Sequence, residues 1–306
     1  MFYLEQVFDT LLRGNLLKLR RLSNEDVIKA QKRGYLDEHL ASLYSTAYGE
    51  PYLYEDKYLV YHDSASKTVS ITLFELDKER GSDTERTACF KELITSFKPE
   101  KVITTSPSKL PTHIGDYGCE RVYEDKDYQI ALDQFDEKLI GGSYKSLRYR
   151  ANHAKRCGYS LAIGKVLTPA HINIIAHYLA KSKNYELWDY QLYLGLSEYV
   201  SRFASPRLFN VFLEGLLIGF DVVDVLSDVM TTPLGFYLDY PSIADFLIYE
   251  EILSAKRQGF KWLDIGWACN VLGLEEFKIK WKAVPRFHVY MQVFTKTKSS
   301  EEKAAC

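Results

Sequence analysis

Hydrophobic and polar positions in the last third of the chain predict an ordered series of strands and helices. Apolar runs at 208–213 and 216–223 flank a Glu214-Gly215 turn, a pattern typical of an antiparallel hairpin. The elements predicted next are a strand at 234–240, a helix at 242–258, a strand at 262–266 and a short helix at 273–281. One more strand completes an order of three antiparallel strands, helix, strand, helix and strand.

The first half of the chain shows a similar alternation. The helix at 83–97 has the clearest pattern, because Phe90, Leu93, Ile94 and Phe97 repeat at helical spacing and Pro99 follows. The other predicted elements are helices starting at Ser23 and ending near Gly34 and at 37–48, a hairpin of 58–62 with 69–76, and strands at 102–105 and 128–132.

The start of the second half repeats this plan. The predicted elements are a strand at 159–163, a helix from Thr168-Pro169 to about Lys183, and a helix at 187–203. The shared order of elements predicts an α/β (α+β) fold of two tandem domains, each a mixed, mostly antiparallel sheet flanked by helices. The predicted bounds are 1–142 and 159–306, joined by a basic linking helix at 143–158.

The linking helix carries five positive charges and no acid between Lys145 and Arg156. At helical spacing, one broad stripe contains Lys145, Arg148, Asn152, Lys155 and Arg156. Two interpretations stay open. The helix is either a solvated linker paired with the acidic segment 120–137, or a ledge that binds phosphates.

Composition narrows the class of protein. The chain has 306 residues, 46% hydrophobic and 26% charged, with a net charge of −2, which is normal for a folded protein without a global field for polyanions. No secretion signal or membrane span is expected, and the five scattered cysteines favour a reducing, cytoplasmic location. Histidine spacing predicts no metal site.

Two motifs resemble Fem-type tandem GNAT proteins over residues 127–295. They are Lys145-Ser-Leu-Arg-Tyr-Arg150 with Ala154-Lys-Arg156, and Gly273-Leu274 followed by Phe277-Lys-Ile-Lys-Trp281. The resemblance includes peptidoglycan bridge-forming aminoacyltransferases, lysyl-phosphatidylglycerol synthases and tRNA–protein transferases. It implies two GNAT-like domains, the first degenerate, and transfer of an acyl or aminoacyl group to an amine.

The residues before the helix at 242–258 depart from the acyl-CoA enzymes of this fold. Those enzymes hold the pyrophosphate on a glycine-rich loop at the helix start. Here the stretch 239–246 has no glycine, and Asp245 would repel a phosphate. We therefore expect no tightly bound cofactor, and a donor that is aminoacyl-tRNA, bound by its acceptor stem, slightly ahead of acyl-CoA. The acceptor is a small-molecule or peptide amine.

Acyl transfer requires a polarised carbonyl and a deprotonated amine. Backbone N–H groups of Gly235, Phe236 or Tyr237 are candidates for the first task. Asp239 and Asp264 lie near the ends of predicted neighbouring strands, where α/β sites gather. Asp239 fits a turn equally well. Asp264, flanked by apolar residues, needs a partner or a cavity.

The resemblance implies that Lys278 reaches a donor or acceptor phosphate. The predicted cleft lies between strands 234–240 and 262–266, so Asp264 and Lys278 must reach one cavity. The remaining candidates for binding the donor or substrate are Tyr237, Ser242, Trp267 and Trp281, with Cys269 as a minor candidate nucleophile. Ser242 is also a candidate helix cap.

Two non-enzymatic readings remain open. The missing glycine loop is compatible with an inactive tandem GNAT protein that binds a ligand or acts as a scaffold. The abundant aromatic residues are compatible with a structural partner protein.

Overall fold

A computed structural model describes residues 19–22, 48–72, 82–181, 193, 195–226, 228–268 and 271–297. The chain forms two compact units, the first made of 1–124 with 289–306 and the second of 125–288. The predicted helix at 23–34, the one at 37–48 except its last residue, the start of the one at 187–203, and Cys269 lie outside the described residues.

The first unit contains one helix and a mixed sheet among its described residues. Its elements are β1 (Leu19–Arg21), β2 (Glu50–Tyr54), β3 (Tyr58–Asp63), β4 (Thr68–Thr72), α1 (Asp83–Phe97), β5 (Lys101–Ser106), β6 (His113–Ile114), the start of β7 (Tyr117–Ala131) and the end of β13 (Val284–Lys296). The sheet order is β1-β2-β3-β4-β5-β13, and only the β4–β5 pair is parallel.

Helix α1 has the bounds that its apolar spacing predicts. Ser82 and Glu85 form a reciprocal capping box at its start, which satisfies amide groups that the helix leaves free. Lys98 adopts the left-handed conformation before Pro99 and ends the helix. Phe90 and Leu93 face the sheet and pack in the core of this unit.

The second unit contains most of the predicted elements of the second half. They are the end of β7, α2 (Lys145–Arg156), β8 (Ser160–Gly164), α3 (Pro169–Lys181), α4 (Leu196–Arg202), β9 (Arg207–Leu213), β10 (Leu216–Leu226), β11 (Val229–Tyr237), α5 (Ile243–Arg257), β12 (Trp262–Trp267), α6 (Leu272–Lys280) and the start of β13. Among the described residues, no helix is long and apolar enough to cross a membrane.

The second sheet has the order β8-β9-β10-β11-β12-β7, and only β11 and β12 run parallel. Glu214 and Gly215 both have positive φ, which gives the predicted tight turn between β9 and β10. Both units therefore share one plan: a run of antiparallel strands, a helix crossover to a parallel strand, and one further strand from elsewhere in the chain.

Strands β7 and β13 make the observed bounds differ from the predicted ones. Chain segments pass from one unit to the other within β7 and within β13, at 124/125 and 288/289, whereas the sequence suggested 142/143. Helix α2 is part of the second unit. Its apolar residues Leu147, Ala151 and Ala154 are buried in the core against α5, so it is a packed helix and not a free linker.

Candidate functional site

The parallel strands of the second unit part after a short stretch of pairing. Strand β11 pairs with β12 only from Val229 to Thr231, opposite Trp262 to Asp264. Beyond that point β11 stays paired with β10, and β12 stays paired with β7. Pro233 lies where the strands part, and it has no N–H to donate to a neighbouring strand.

Asp264 is the last residue of β12 that pairs with β11, and its side chain is buried. One carboxylate oxygen accepts a hydrogen bond from Gly266 N at 2.7 Å, and the other accepts from Gln129 Nε2 at 3.2 Å. Burial raises the pKa of Asp264, while these hydrogen bonds, Arg286 and Lys278 oppose the rise. Gly266 has φ of +68°, a conformation that favours glycine and turns β12 at this point.

Lys278 projects from α6 to the same part of β12. Its side chain is 3% exposed, and its ammonium donates to the carbonyl oxygens of Ile265 and, at 3.2 Å, of Gly266. The ammonium also lowers the pKa of both Asp264 and Glu251. A buried positive charge therefore lies beside the point where the strands part.

Two of the predicted site residues have other roles. The Asp239 side chain is 74% exposed and forms a surface ion pair with Lys181, so it is not a buried proton acceptor. Ser242 occupies the position before α5 with φ of +59° and makes no side-chain cap. Its hydroxyl instead lies 3.1 Å from Nδ1 of His153, and the expected cap was wrong because the left-handed backbone turns the side chain towards α2.

Trp281 belongs to the core and does not line a cleft. Its ring is fully buried, stacks on Phe135 and donates from Nε1 to Asp245 at 3.0 Å. Trp267 is half-buried and ends β12 opposite Asp127. Tyr237 ends β11 with its ring packed against the core, and burial raises the pKa of its hydroxyl strongly. Trp267 and Tyr237 thus flank the parted strands, whereas Trp281 supports them from inside.

Most of the predicted stripe on α2 is exposed. Arg148 is partly buried and donates to the carbonyl of Leu139. The Lys155 ammonium lies 5.3 Å from the centre of the Tyr249 ring, but its residue is exposed, as are Lys145, Asn152 and Arg156. These four residues are therefore accessible to a ligand.

Arg150, which the predicted stripe left out, contacts the start of α5. Its guanidinium donates to Asp245 at 3.1 Å, and Asp245 is buried. Burial and the nearby Arg150 lower the pKa of Lys280. Asp245 therefore does not present an uncompensated negative charge at the helix start, because Arg150 and Trp281 bind both of its oxygens. Sequence spacing could not reveal this pair, whose partners lie 95 residues apart.

Two further buried carboxyl groups, Asp221 on β10 and Glu251 on α5, were also missed. Asp221 lies in an apolar run, where one acid carries no pattern, and Glu251 follows Glu250 on the predicted helix. Asp221 lies directly opposite Gly235 of β11, so the acid is on the strand next to the parted one. A Cβ atom at Gly235 would come within 2.3 Å of Asp221, a contact that only the structure shows.

A pocket with a volume of about 670 Å³ lies in the first unit, along the outer side of α1. It is lined by threonines, by Lys91 and Lys109, and by the start of α1 at Asp83. The pocket is wide open to solvent, and its lining contains no buried reactive group. Buried charged groups instead gather around the parted strands of the second unit.

Comparison with known proteins gives the fold a name. No protein-family model matches the chain, and no curated protein matches it in sequence. Solved structures do match: L-PGS from Bacillus licheniformis has 14% identity and a TM-score of 0.58, covering 92% of this chain and 94% of that one. FemX has 9% identity and a TM-score of 0.56, covering 94% and 99%.

A tandem GNAT protein from the clavulanic acid biosynthesis pathway has 10% identity and a TM-score of 0.53, covering 91% of this chain and 98% of that one. The chain has a tandem GNAT fold. The predicted fold class and the resemblance to acyl- and aminoacyltransferase folds are thereby confirmed. At these identities the likeness establishes the fold alone, and the chemistry must be argued from the residues.

Proposed function

We propose that the second unit transfers an acyl or aminoacyl group from an activated carrier to an amine, in the gap between β11 and β12. The observation that carries this proposal is the parting of the two parallel strands beside the buried ammonium of Lys278. The favoured donor is aminoacyl-tRNA, ahead of acyl-CoA. The likeness to FemX and L-PGS supports the fold on which such a reaction would run.

Strand β11 would polarise the acyl carbonyl. Beyond Thr231 it no longer pairs with β12, so the N–H groups on that side, among Gly235 to Tyr237, are free of that partner strand. An N–H aimed at the carbonyl oxygen stabilises the negative charge that develops there during attack. The positive charge of Lys278 would stabilise this negative charge on the carbonyl oxygen, or the negative charge of the leaving group.

Asp264 would position the ammonium group of Lys278. Both of its oxygens already accept hydrogen bonds, from Gly266 N and Gln129 Nε2, so it is poorly arranged to take a proton from an amine. Its contact with Gly266 N fixes the turn whose carbonyl oxygen binds Lys278. We therefore assign Asp264 to positioning and Lys278 to electrostatic stabilisation.

The start of α5 favours the tRNA donor. It has no glycine-rich loop, and the Ser242 hydroxyl contacts His153 instead of facing a phosphate. Helix α2 lies against this end of α5 through the His153–Ser242 and Arg150–Asp245 contacts. The exposed side chains of Lys145, Asn152 and Arg156 are available to a nucleic acid backbone, which needs only a few phosphate contacts at an acceptor stem.

The direct test is turnover by the purified chain. It is incubated with an aminoacyl-tRNA pool or with acetyl-CoA, together with a fractionated pool of cellular amines. We expect amine-dependent release of deacylated tRNA and a new amide detected by mass spectrometry. Tight binding without turnover would favour the inactive ligand-binding alternative, and turnover with acetyl-CoA alone would overturn the choice of donor.

A charge reversal tests the tRNA contact. Lys145→Glu with Arg156→Glu removes two of the exposed cations and leaves the Arg148, Arg150 and Lys155 contacts intact. Binding to tRNA should weaken, and the slope of log affinity against log salt should fall by about one to two units, since each lost phosphate contact removes about 0.7–0.9. The control, Arg257→Glu with Lys261→Glu, makes the same change of net charge at the other end of α5. Equal weakening by both pairs contradicts a local contact.

A further inference from the structure

A pair of carboxyl groups lies buried in the second unit, apart from Asp264 and Lys278. Asp221 is 7% exposed and Glu251 is 2% exposed. Each carboxyl group shifts the pKa of the other, so the two side chains lie within reach of a hydrogen bond. Two carboxyl groups can form this bond only when one of them holds a proton, so the pair carries at most one negative charge while it persists.

One atom of the pair has no partner. Oε1 of Glu251 is buried without a hydrogen bond among the described residues, and so is the hydroxyl of Thr232 on β11. The hydroxyl lies near enough to Glu251 to oppose the rise in its pKa. An unpartnered buried oxygen is unfavourable in proteins, so such a group requires an explanation, of which a catalytic role is one.

Gly235 brings this pair to the backbone of the parted strand. Gly235 lies directly opposite Asp221 in the β10–β11 pairing. A Cβ atom at Gly235 would stand 2.3 Å from Oδ1 of Asp221, well inside van der Waals contact. The carboxyl group therefore lies over the bare Cα of the strand whose N–H groups are proposed to hold the acyl carbonyl.

The buried surroundings raise the pKa of both carboxyl groups. Burial raises the pKa of Asp221 to about 7 and that of Glu251 well above its ordinary value, while the Glu251 hydrogen bond pulls that of Asp221 down. Thr232 and Lys278 oppose the rise in the pKa of Glu251. The two acids, together with Tyr178, add to the rise in the pKa of the Tyr237 hydroxyl. Protonated Glu251 thus donates to Asp221, which can gain or lose a proton near neutral pH.

We propose that Asp221 is the proton acceptor for the attacking amine and that Glu251 is the residue that positions it. This assignment rests on the proposed function. The amine nitrogen forms a bond to the acyl carbon, and the carbon–oxygen or carbon–sulfur bond to the carrier breaks. The proton lost by nitrogen passes to the Asp221 carboxylate and then to the departing oxygen or sulfur, so the pair returns to its starting state.

The first test compares Asp221→Asn with wild type in single-turnover transfer, using whichever of acetyl-CoA and the aminoacyl-tRNA pool supports wild-type turnover. Transfer to an alkyl amine should fall by about 10²–10⁴-fold, the usual contribution of a positioned proton acceptor. Hydroxylamine is already unprotonated at neutral pH. The fold-loss in its transfer rate should therefore be at least about tenfold smaller than the loss with the alkyl amine. Equal losses with both nucleophiles overturn the assignment.

The matched control is Asp224→Asn, on the same strand. Asp224 is buried and accepts a hydrogen bond from Tyr199, so its loss tests the removal of a buried carboxylate without the proposed chemistry. Transfer per folded molecule should stay within a few-fold of wild type. If Asp224→Asn and Asp221→Asn lose activity alike, the effect is structural and the assignment fails.

The pH profile separates positioning from packing. The wild-type rate should fall below about pH 7, where Asp221 takes up a proton. Glu251→Met removes the donor to Asp221 and should move this limb to higher pH, whereas Glu251→Gln keeps a donor and should restore it. No transfer by wild type with either donor overturns the proposed function as well. Full transfer by Asp221→Asn overturns this assignment alone.

Discussion

The two units share a strand plan but differ where their parallel strands meet. In the first unit, β4 pairs with β5 over its whole described length, from Thr68–Lys101 to Thr72–Thr105. In the second, β11 leaves β12 after three pairs, at Thr231 and Asp264. The same crossover therefore gives a closed pair of strands in one unit and an open pair in the other.

Buried charge follows the same division. Every buried carboxylate among the described residues belongs to the second unit, where they are Asp127, Asp221, Asp224, Asp245, Glu251 and Asp264. The buried polar residues described in the first unit are Ser70, Thr104, Ser106, Gln292 and one cation, Arg86, which pairs with Asp83. Because burying a carboxylate is unfavourable, the contrast supports placing the proposed chemistry in the second unit.

The comparison shows that a few residues decide whether the parallel strands of this plan stay paired or part. Pro233 and the bulge around it release β11 from β12, and Gly235 lets Asp221 reach the released strand. The closed pair in the first unit matches the expectation that its domain is degenerate, which stays a prediction. Four substitutions can break or sharpen this contrast.

Removing the positive charge beside the open strands should have the largest effect. Lys278→Met should lower the single-turnover rate by about 10²–10³-fold, the usual loss when one stabilising group is removed. Lys256→Met is the control, because Lys256 also donates to a carbonyl, that of Phe135 at 2.6 Å, on another part of the unit. Equal losses per folded molecule in both variants would mean that packing, and not charge, matters.

Filling the space over the open strand comes next. Gly235→Ala places a methyl group against Asp221 and should reduce stability by about 1–3 kcal/mol and transfer by about tenfold or more. Gly164→Ala is the control, because a Cβ atom there would meet Nδ2 of Asn210 at 3.1 Å and nothing on β11. Urea unfolding reports the folded fraction of both variants. A similar loss of transfer per folded molecule in Gly164→Ala contradicts the role of the Asp221 contact.

Stability against pH tests the buried acid without any substrate. The folded pKa of Asp221 is about 7, above its ordinary 3.8, so its contribution to the free energy of unfolding is lost as pH rises towards 7. Asp221→Asn should remove a decline of roughly 2 kcal/mol between pH 5 and pH 8. If the free energy of unfolding of the variant declines with pH as steeply as that of wild type, the pKa of Asp221 is not raised.

The smallest effect is expected at the surface acid that the sequence favoured. Asp239→Asn breaks only the exposed pair with Lys181. Stability should change by less than about 1 kcal/mol and transfer by less than about twofold. A loss comparable to that of Lys278→Met would return Asp239 to the site.

Periodicity predicted most of the fold because it reports which positions are buried. Helix α1 has its predicted bounds, and the order from β9 to β13 is the predicted one. The long start of β7 was missed, since residues such as Arg121 and Glu124 give it no apolar alternation. The start of β11 was missed because Thr231-Thr232-Pro233 is typical of a loop.

The site was harder to predict, because its contacts join distant residues. Asp264 and Lys278 were proposed from motifs, and the structure brings both to one turn of β12. Spacing could not show that Trp281 points into the core towards Asp245, or that Asp221 and Glu251 meet. Neither a lone acid in an apolar run, such as Asp221, nor one of two adjacent acids, such as Glu251, carries a periodic signal, and only tertiary packing pairs them.

Backbone hydrogen exchange with and without bound donor tests the contrast between the units most directly. The chain is compared alone, with aminoacyl-tRNA and with acetyl-CoA, and peptides are resolved across both sheets. The account predicts slower exchange at Thr232–Tyr237 and Ile265–Trp267 with a donor, and unchanged exchange at Thr68–Thr72 and Lys101–Ser106. Protection confined to the first unit, or absent from the parted strands with both donors, would contradict it.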